Sequence, residues 1–147
     1  MEGIDFGKVF GIGSKLSYDA LLIRKSVFVN EQNVPIEEEL DDYDMESYHF
    51  VGYLISQPIC CARLYMKDNK WYLGRVAVIK DYRGKNVGEK LVKHIVSFAK
   101  NELETSEIHI SSQVNAIYFY KKFNFVEYGD KYVDAGIEHI SMKLNLE

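Results

Sequence analysis

The stretch RVAVIKDYRGKNVGEKLV, residues 75–92, joins an apolar strand to an amphipathic helix through a short basic turn. The strand is predicted to run from Trp71 to Ile79. The helix is predicted over residues 87–103, because its apolar positions recur at helical spacing. These positions are separated by four, four and three residues: Val87, Leu91, Ile95 and Phe98.

The turn between this strand and helix has the features of an anion site. The first turn of a helix offers backbone N–H groups without partners and a partial positive charge. Gly84 and Gly88 let a ligand approach the backbone, while Arg83 and Lys85 add positive charge. A pyrophosphate site is therefore predicted here. On spacing alone, a structural turn explains the residues equally well, and neither of the two common phosphate-loop patterns is present.

The composition of the chain is that of a globular protein with a single domain. The chain has 147 residues, of which 47% are hydrophobic and 27% charged, as expected for one globular domain spanning residues 1–147. The N-terminus lacks signal-peptide features, and no apolar run reaches the roughly 18–20 residues of a membrane span, so a cytoplasmic, non-membrane protein is expected. The net charge of −4 argues against nucleic acid binding. Cys60 and Cys61 are adjacent, which predicts small apolar strand residues without a disulfide or metal site.

The rest of the chain alternates between helical and strand patterns. Ser17 is predicted as the N-cap of a first helix, with Asp19 in its first turn. Residues 29–49 are rich in carboxylates and predict a loop with a short helix after Pro35. Gln57-Pro58 is predicted as a turn. The further predicted elements are strands over residues 49–55, 59–66, 108–111, 125–133 and 137–144, with a helix over 115–123. The pattern indicates an α/β or α+β sheet domain with packed helices.

Two blocks of this sequence resemble the GNAT superfamily of N-acetyltransferases. Residues 83–88 are similar to its acetyl-CoA motif, [Q/R]-x-x-G-x-[G/A], with Asn86 where glycine is usual. Residues 111–125, SSQVNAIYFYKKFNF, resemble its second signature, A-x-x-x-Y followed by G-F, with Asn124 in place of that glycine. Asparagine tolerates left-handed backbone better than most residues, so the turn at Asn86 is expected to form.

The resemblance extends to a small bacterial single-domain subgroup of this superfamily. IRKSVFVNEQNVP (23–35) and DAGIEHISM (134–142) are similar to its members, although Glu138 stands where they usually have proline. So is an acidic D-x-x-D followed by a histidine: Asp41, Asp44 and His49.

The resemblance implies a GNAT-like fold, a mostly antiparallel mixed sheet of about six to seven strands flanked by about four helices. It implies direct acetyl transfer from acetyl-CoA to an amine, without a metal. Backbone N–H groups near Val76 to Val78 would polarise the thioester carbonyl. The residues expected to bind the cofactor are Val76, Ala77, Val78, Arg83, Gly84, Lys85, Asn86, Val87, Gly88, Gln113, Asn115, Phe119 and Tyr120.

The resemblance makes Tyr120 the candidate general acid for the departing thiolate. A tyrosine pKa of about 10 exceeds the value of about 8.5 for a simple thiol, so its phenol is expected to act mainly as a hydrogen-bond donor. The amine needs a base, because an alkyl ammonium has a pKa near 10.4. The candidates are Glu31, Asp41, Asp44, His49 and His139, with a water chain as the alternative.

The partners remain less defined than the fold. Acidic residues over 29–46 favour a cationic small-molecule or peptide amine as acceptor, although the same residues could simply solubilise a loop. A non-catalytic CoA-binding sensor and a pure interaction module are the alternative functions. The oligomeric state is open, and a homodimer is one option.

Overall fold

In a computed structural model, which describes residues 3–147, the chain forms one twisted mixed sheet. Its strands lie in the order β1-β2-β3-β4-β5-β7-β6. Only β4 and β5 pair in parallel, and all other neighbours are antiparallel. The predicted GNAT-like mixed sheet is confirmed. The strand bounds are β1 Ile4–Phe10, β2 Ser47–Leu54, β3 Gln57–Lys67, β4 Lys70–Val78, β5 Glu107–Gln113, β6 Val126–Asp134 and β7 Ile137–Asn145.

Four α-helices flank the sheet within the described residues: α1 Lys15–Arg24, α2 Ile36–Glu39, α3 Val87–Asn101 and α4 Ile117–Lys121. A π-helical segment, Lys25–Glu31, continues α1 without a break. The predicted N-cap of the first helix was wrong by three residues. Ser14 is the cap, because its hydroxyl accepts the Ser17 N–H at 3.1 Å and Ser17 Oγ accepts the Ser14 N–H in return. Ser17 is thus the second member of a capping box, and Asp19 lies beyond the first turn.

Two parts of the strand prediction were also wrong. The first strand, β1, was missed, since Gly7 interrupts its short apolar alternation. The turn between β2 and β3 lies at Ile55 and Ser56, not at Gln57-Pro58, and both residues adopt positive φ of 47° and 65°. Pro58 lies inside β3 at a register shift, where a strand tolerates proline.

The core lies on both faces of the sheet. One face packs under α3, whose Leu91 and Ile95 are fully buried. The other face packs under α1, where Ala20 and Ile23 are buried. Adjacent cysteines of β3 belong to these two opposite layers and remain free thiols, as predicted.

A buried ionic network fixes the acidic segment to the sheet. Arg24, at the end of α1, binds Asp44 at 2.7 Å and Glu39 at 2.8 Å. Arg63 of β3 binds Asp44 at 2.8 Å and Asp41 at 2.7 Å. Burial alone would raise the pKa of Asp44, but the hydrogen bonds and charge of the two arginines lower it. Three carboxylates of the acidic run, Glu39, Asp41 and Asp44, therefore neutralise arginines inside the protein, whereas Glu37, Glu38 and Glu46 remain exposed.

Replacing Asp44 by Asn should destabilise the protein strongly. The change keeps the shape of the side chain but leaves two buried guanidinium groups short of one negative charge. Loss of one partner of a buried pair costs about 3–5 kcal/mol in the free energy of unfolding, measurable by urea denaturation. Glu127→Gln is the matched control, since Glu127 pairs with Lys121 at 3.1 Å on the surface and should cost less than about 1 kcal/mol. Equal losses for both variants would contradict the structural role assigned to the network.

Candidate active site

Parallel strands β4 and β5 stop pairing halfway along their length. Their register covers only Tyr72 with His109 and Leu73 with Ile110. Beyond Leu73, β4 carries a bulge against β3, at which Arg75 adopts a φ of 53°. A bulge bends its strand, and here β4 leaves β5. The result is a gap between the two strands beyond Leu73.

A cavity of about 690 Å³ occupies this gap and continues along the start of α3. Segment 27–34 and helix α4 supply further parts of its wall. Of the residues predicted for the site, the cavity is lined by Val76, Ala77, Val78, Arg83, Gly84, Asn86, Val87, Gly88, Gln113, Asn115, Phe119, Tyr120 and His139. Glu31 and Lys85 are not among the lining residues, and the Lys85 ammonium lies over the Tyr82 ring at 5.6 Å.

Backbone groups of β4 face the open gap. The Ile79 N–H donates to the Ile59 carbonyl of β3 at 3.0 Å. Because successive residues of an extended strand direct their polar groups to opposite sides, the N–H of Val78 faces away from β3, and so does that of Val76. The N–H of Ala77 faces β3 by the same alternation. Val76 and Val78 both line the cavity, and their N–H groups are the candidate donors to it.

The start of α3 has the geometry of an anion site. Gly84 and Asn86 adopt positive φ of 75° and 63°, so asparagine replaces the usual glycine without disturbing the turn. No side chain caps the helix at Asn86. The first N–H groups of this 15-residue helix consequently remain available for a ligand.

Gly88 brings this first turn close to its neighbours. A Cβ built on it would lie 3.4 Å from Phe119 Cζ and 3.5 Å from Val78 Cγ2. These are ordinary van der Waals distances, so the start of α3 packs against both the end of β4 and helix α4 and leaves room there for little more than a methyl group. A larger residue would press on Phe119 and Val78 as well as on any bound ligand.

Arg83 is held on two sides. Its Nε donates to the Val78 carbonyl at 2.8 Å, and its two Nη atoms donate to the Glu31 carboxylate at 2.8 and 3.0 Å. The hydrogen bond from Arg83 lowers the pKa of Glu31. A carboxylate held in this way is a poor base, and it lies outside the cavity wall.

Tyr120 and Ala116 of the second motif both line the cavity, one helical turn apart. Tyr120 is nine-tenths buried, and its ring packs edge-on against Phe119 and Phe125. Burial raises the pKa of its phenol well above the ordinary value. Tyr118 is instead exposed, and Asn124 adopts a φ of 73°, so the second asparagine also fits a left-handed turn.

His139 has a defined tautomer when neutral. Its Nδ1 lies 2.7 Å from the Ile137 carbonyl, which can only accept, so Nδ1 carries the proton and Nε2 keeps a lone pair. Its ring stacks on Tyr132, with centroids 5.9 Å apart, and Tyr132 bonds Ser111. In the sheet register His139 lies opposite Gln113, at the carboxyl end of β5. The fold therefore places His139, a candidate base, beside the end of β5 that lines the gap.

The other base candidates lie elsewhere. Asp41 and Asp44 belong to the ionic network, whose arginines lower the pKa of both carboxyl groups against the effect of burial. His49 is buried beside Asp44, and its Nε2 donates to the Asp44 carbonyl at 2.8 Å. Burial lowers the pKa of His49. These three side chains do not line the cavity.

Several lining residues were missed in the sequence. Arg63, Tyr65 and Arg75 form part of the wall next to the ionic network. Their signal was the presence of arginines inside the otherwise apolar strands CCARLY and GRVAV, opposite an acidic segment elsewhere in the chain. Within residues 3–147, no cluster of three or more His, Cys, Asp or Glu side chains could hold a metal ion. No helix of that range combines the length and apolar character needed to cross a membrane.

Comparisons with known proteins point to one family. A family model described as an acetyltransferase (GNAT) domain matches residues 14–146. The uncharacterized N-acetyltransferase YjcF of Bacillus subtilis is 38% identical over 125 residues, which are 84% of this chain and 89% of that protein. The crystal structure of Escherichia coli ElaA aligns with a TM-score of 0.85 at 25% identity, covering 95% of this chain and 98% of ElaA.

A further structural match bears on the fold alone. A GNAT family acetyltransferase from Elizabethkingia anophelis, solved with acetyl-CoA bound, aligns with a TM-score of 0.69 at 18% identity. The alignment covers 99% of each chain.

Proposed function

This chain belongs to the GNAT acetyltransferase family, and we propose that it is an acetyl-CoA-dependent N-acetyltransferase acting on a small-molecule or peptide amine. The observation that carries the proposal is the gap between β4 and β5, which ends at the uncapped start of α3. Its walls combine backbone N–H groups of β4 and α3, the buried phenol of Tyr120 and an imidazole lone pair of His139. The acetyl-CoA held by the Elizabethkingia anophelis protein of the same fold supports the choice of donor.

The proposed donor site uses backbone groups. The N–H groups at the start of α3 and at Gly84 would bind the pyrophosphate of acetyl-CoA, aided by the positive end of the helix. The N–H groups of Val76 and Val78 would donate to the thioester oxygen and stabilise the charge that develops there. Because these donors are fixed in the sheet, little reorganisation is needed when the reaction occurs.

The proposed transfer forms a C–N bond and breaks a C–S bond. The ammonium acceptor first loses a proton to His139 Nε2 or to water, and the free amine nitrogen then attacks the thioester carbon. CoA leaves as its thiolate, and the second proton lost by the nitrogen passes to water or to that thiolate. Tyr120 would donate a hydrogen bond to that sulfur. Since burial raises the pKa of Tyr120 further above that of a thiol, its phenol stays neutral and stabilises the leaving group chiefly as a donor.

The acceptor side of the cavity supports a cationic amine. Glu38 and Asp134 line the wall and are exposed, unlike the carboxylates of the ionic network. The two asparagine replacements, at residues 86 and 124, had kept a CoA-binding sensor open as an alternative. Both adopt the backbone that glycine would supply, so nothing in these turns favours the sensor over an enzyme.

Incubation with acetyl-CoA and a panel of amines and peptides tests the proposal. We expect at least one amine to increase thiol release, with the N-acetyl product visible by mass spectrometry. Amine-independent thiol release under all conditions would contradict transfer. The panel should contain polyamines, amino sugars and lysine peptides, since the exposed carboxylates favour cationic acceptors.

Tyr120→Phe should lower kcat by about 10- to 10³-fold with the best acceptor, because it removes one donor and keeps the ring. Acetyl-CoA affinity, measured by titration calorimetry, should remain close to that of the wild type. Tyr118→Phe is the control, since Tyr118 is 80% exposed, and it should retain full activity. Wild-type turnover by Tyr120→Phe would exclude Tyr120 as the donor to the thiolate.

A further inference from the structure

Two consecutive residues, Glu31 and Gln32, contact opposite sides of the gap. Glu31 binds Arg83, which in turn donates to the carbonyl of Val78, the last residue of β4. Gln32 Oε1 accepts from the side-chain amide of Gln113, the last residue of β5, at 2.7 Å. The two strands are parallel, so their carboxyl ends border the same opening. Glu31 and Gln32 therefore tie their part of the chain to both strands that border the gap, β4 and β5.

We propose that Glu31 and Gln32 form a strap across the opening of the gap and act as positioning residues for the acceptor. This inference rests on the proposed acetyl transfer. The Glu31 side chain lies outside the cavity wall, so it acts through Arg83 and does not touch a bound substrate.

The strap determines where one wall of the cavity lies. Val27, Phe28, Gln32 and Val34 all line the cavity, and all belong to the segment that the strap fixes. This segment leaves α1 as a π-helix, whose wider turn is closed by the Gln32 N–H bonding the Val27 carbonyl at 3.1 Å. Val27, at the start of this segment, belongs to the buried cluster of Val51, Cys61 and Ala77, and the two side-chain links hold the end of the segment beside the gap.

The two links also connect the donor and acceptor parts of the site. Arg83 belongs to the turn that would bind pyrophosphate, and Gln113 was predicted to bind the cofactor. Both are bonded to the strap in the ligand-free protein. The strap thus places the acceptor wall relative to the donor site. The ion pair between Arg83 and Glu31 is partly exposed, since the two side chains are 43% and 33% exposed. Breaking it is therefore expected to have a moderate effect on the position of the segment.

Hydrogen exchange on ligand-free protein tests the strap without any substrate, and therefore independently of the transfer reaction. Glu31→Gln and Arg83→Gln should each accelerate exchange of the amides of residues 27–34 by about two- to five-fold. The double variant should exchange no faster than the faster single variant, because both changes remove the same link. Glu37→Gln is the control, since it removes an exposed acidic charge nearby. Unchanged exchange, or additive effects in the double variant, would overturn the proposal.

The acceptor KM and kcat then distinguish a role of Glu31 and Gln32 in positioning the acceptor from a role in stabilising the fold alone. At saturating acetyl-CoA, Glu31→Gln should raise the acceptor KM by about two- to five-fold while kcat stays within about two-fold. Gln32→Leu, which removes the link to β5, should shift the acceptor KM in the same direction. Faster exchange with an unchanged acceptor KM would overturn the positioning role.

Discussion

The site depends on backbone groups that β4 cannot satisfy within its own sheet. After Leu73, β4 leaves β5, and the polar groups along its open edge face a cavity instead of a neighbouring strand. An unpaired backbone group away from water is costly, so such an edge persists only where a ligand or solvent can bind it. The position of α3, the packing of Gly88 and the course of segment 27–34 all follow from this gap.

The buried ionic network holds the bulge that opens the gap. Arg75 occupies a strained backbone conformation, which typically costs about 1–3 kcal/mol for a residue other than glycine. Its Nε lies 2.8 Å from Glu39 Oε2, a close ionic contact whose angle is too bent for a hydrogen bond. Its Nη2 donates to the Glu39 carbonyl at 3.0 Å. Glu39 and Asp41 of the acidic segment thereby stabilise the strained strand, whereas Glu38 lines the cavity.

Features of the fold that depend on residues close together in the sequence could be predicted from it. The strand, turn and helix over residues 71–103 have strong local signals, and the family motifs located the cavity-lining residues along them. Ile55 and Ser56 could not be predicted as a turn, because positive φ is unusual for both residues. The pairing of Arg24 with Asp44, and of Glu31 with Arg83, joins residues far apart in the chain. From the sequence alone, the acidic side chains were interpreted as solvated loop residues or candidate bases. Only the folded structure shows which arginines they contact.

An amide NMR titration with acetyl-CoA tests the central claim most directly. The account predicts the largest chemical-shift changes at the N–H groups of Val76 and Val78, and at residues 84–88. It predicts little change in the separate surface groove lined by Lys93 and Phe123. Changes concentrated in that groove, with Val76 and Val78 unaffected, would show that the gap between β4 and β5 is not the donor site.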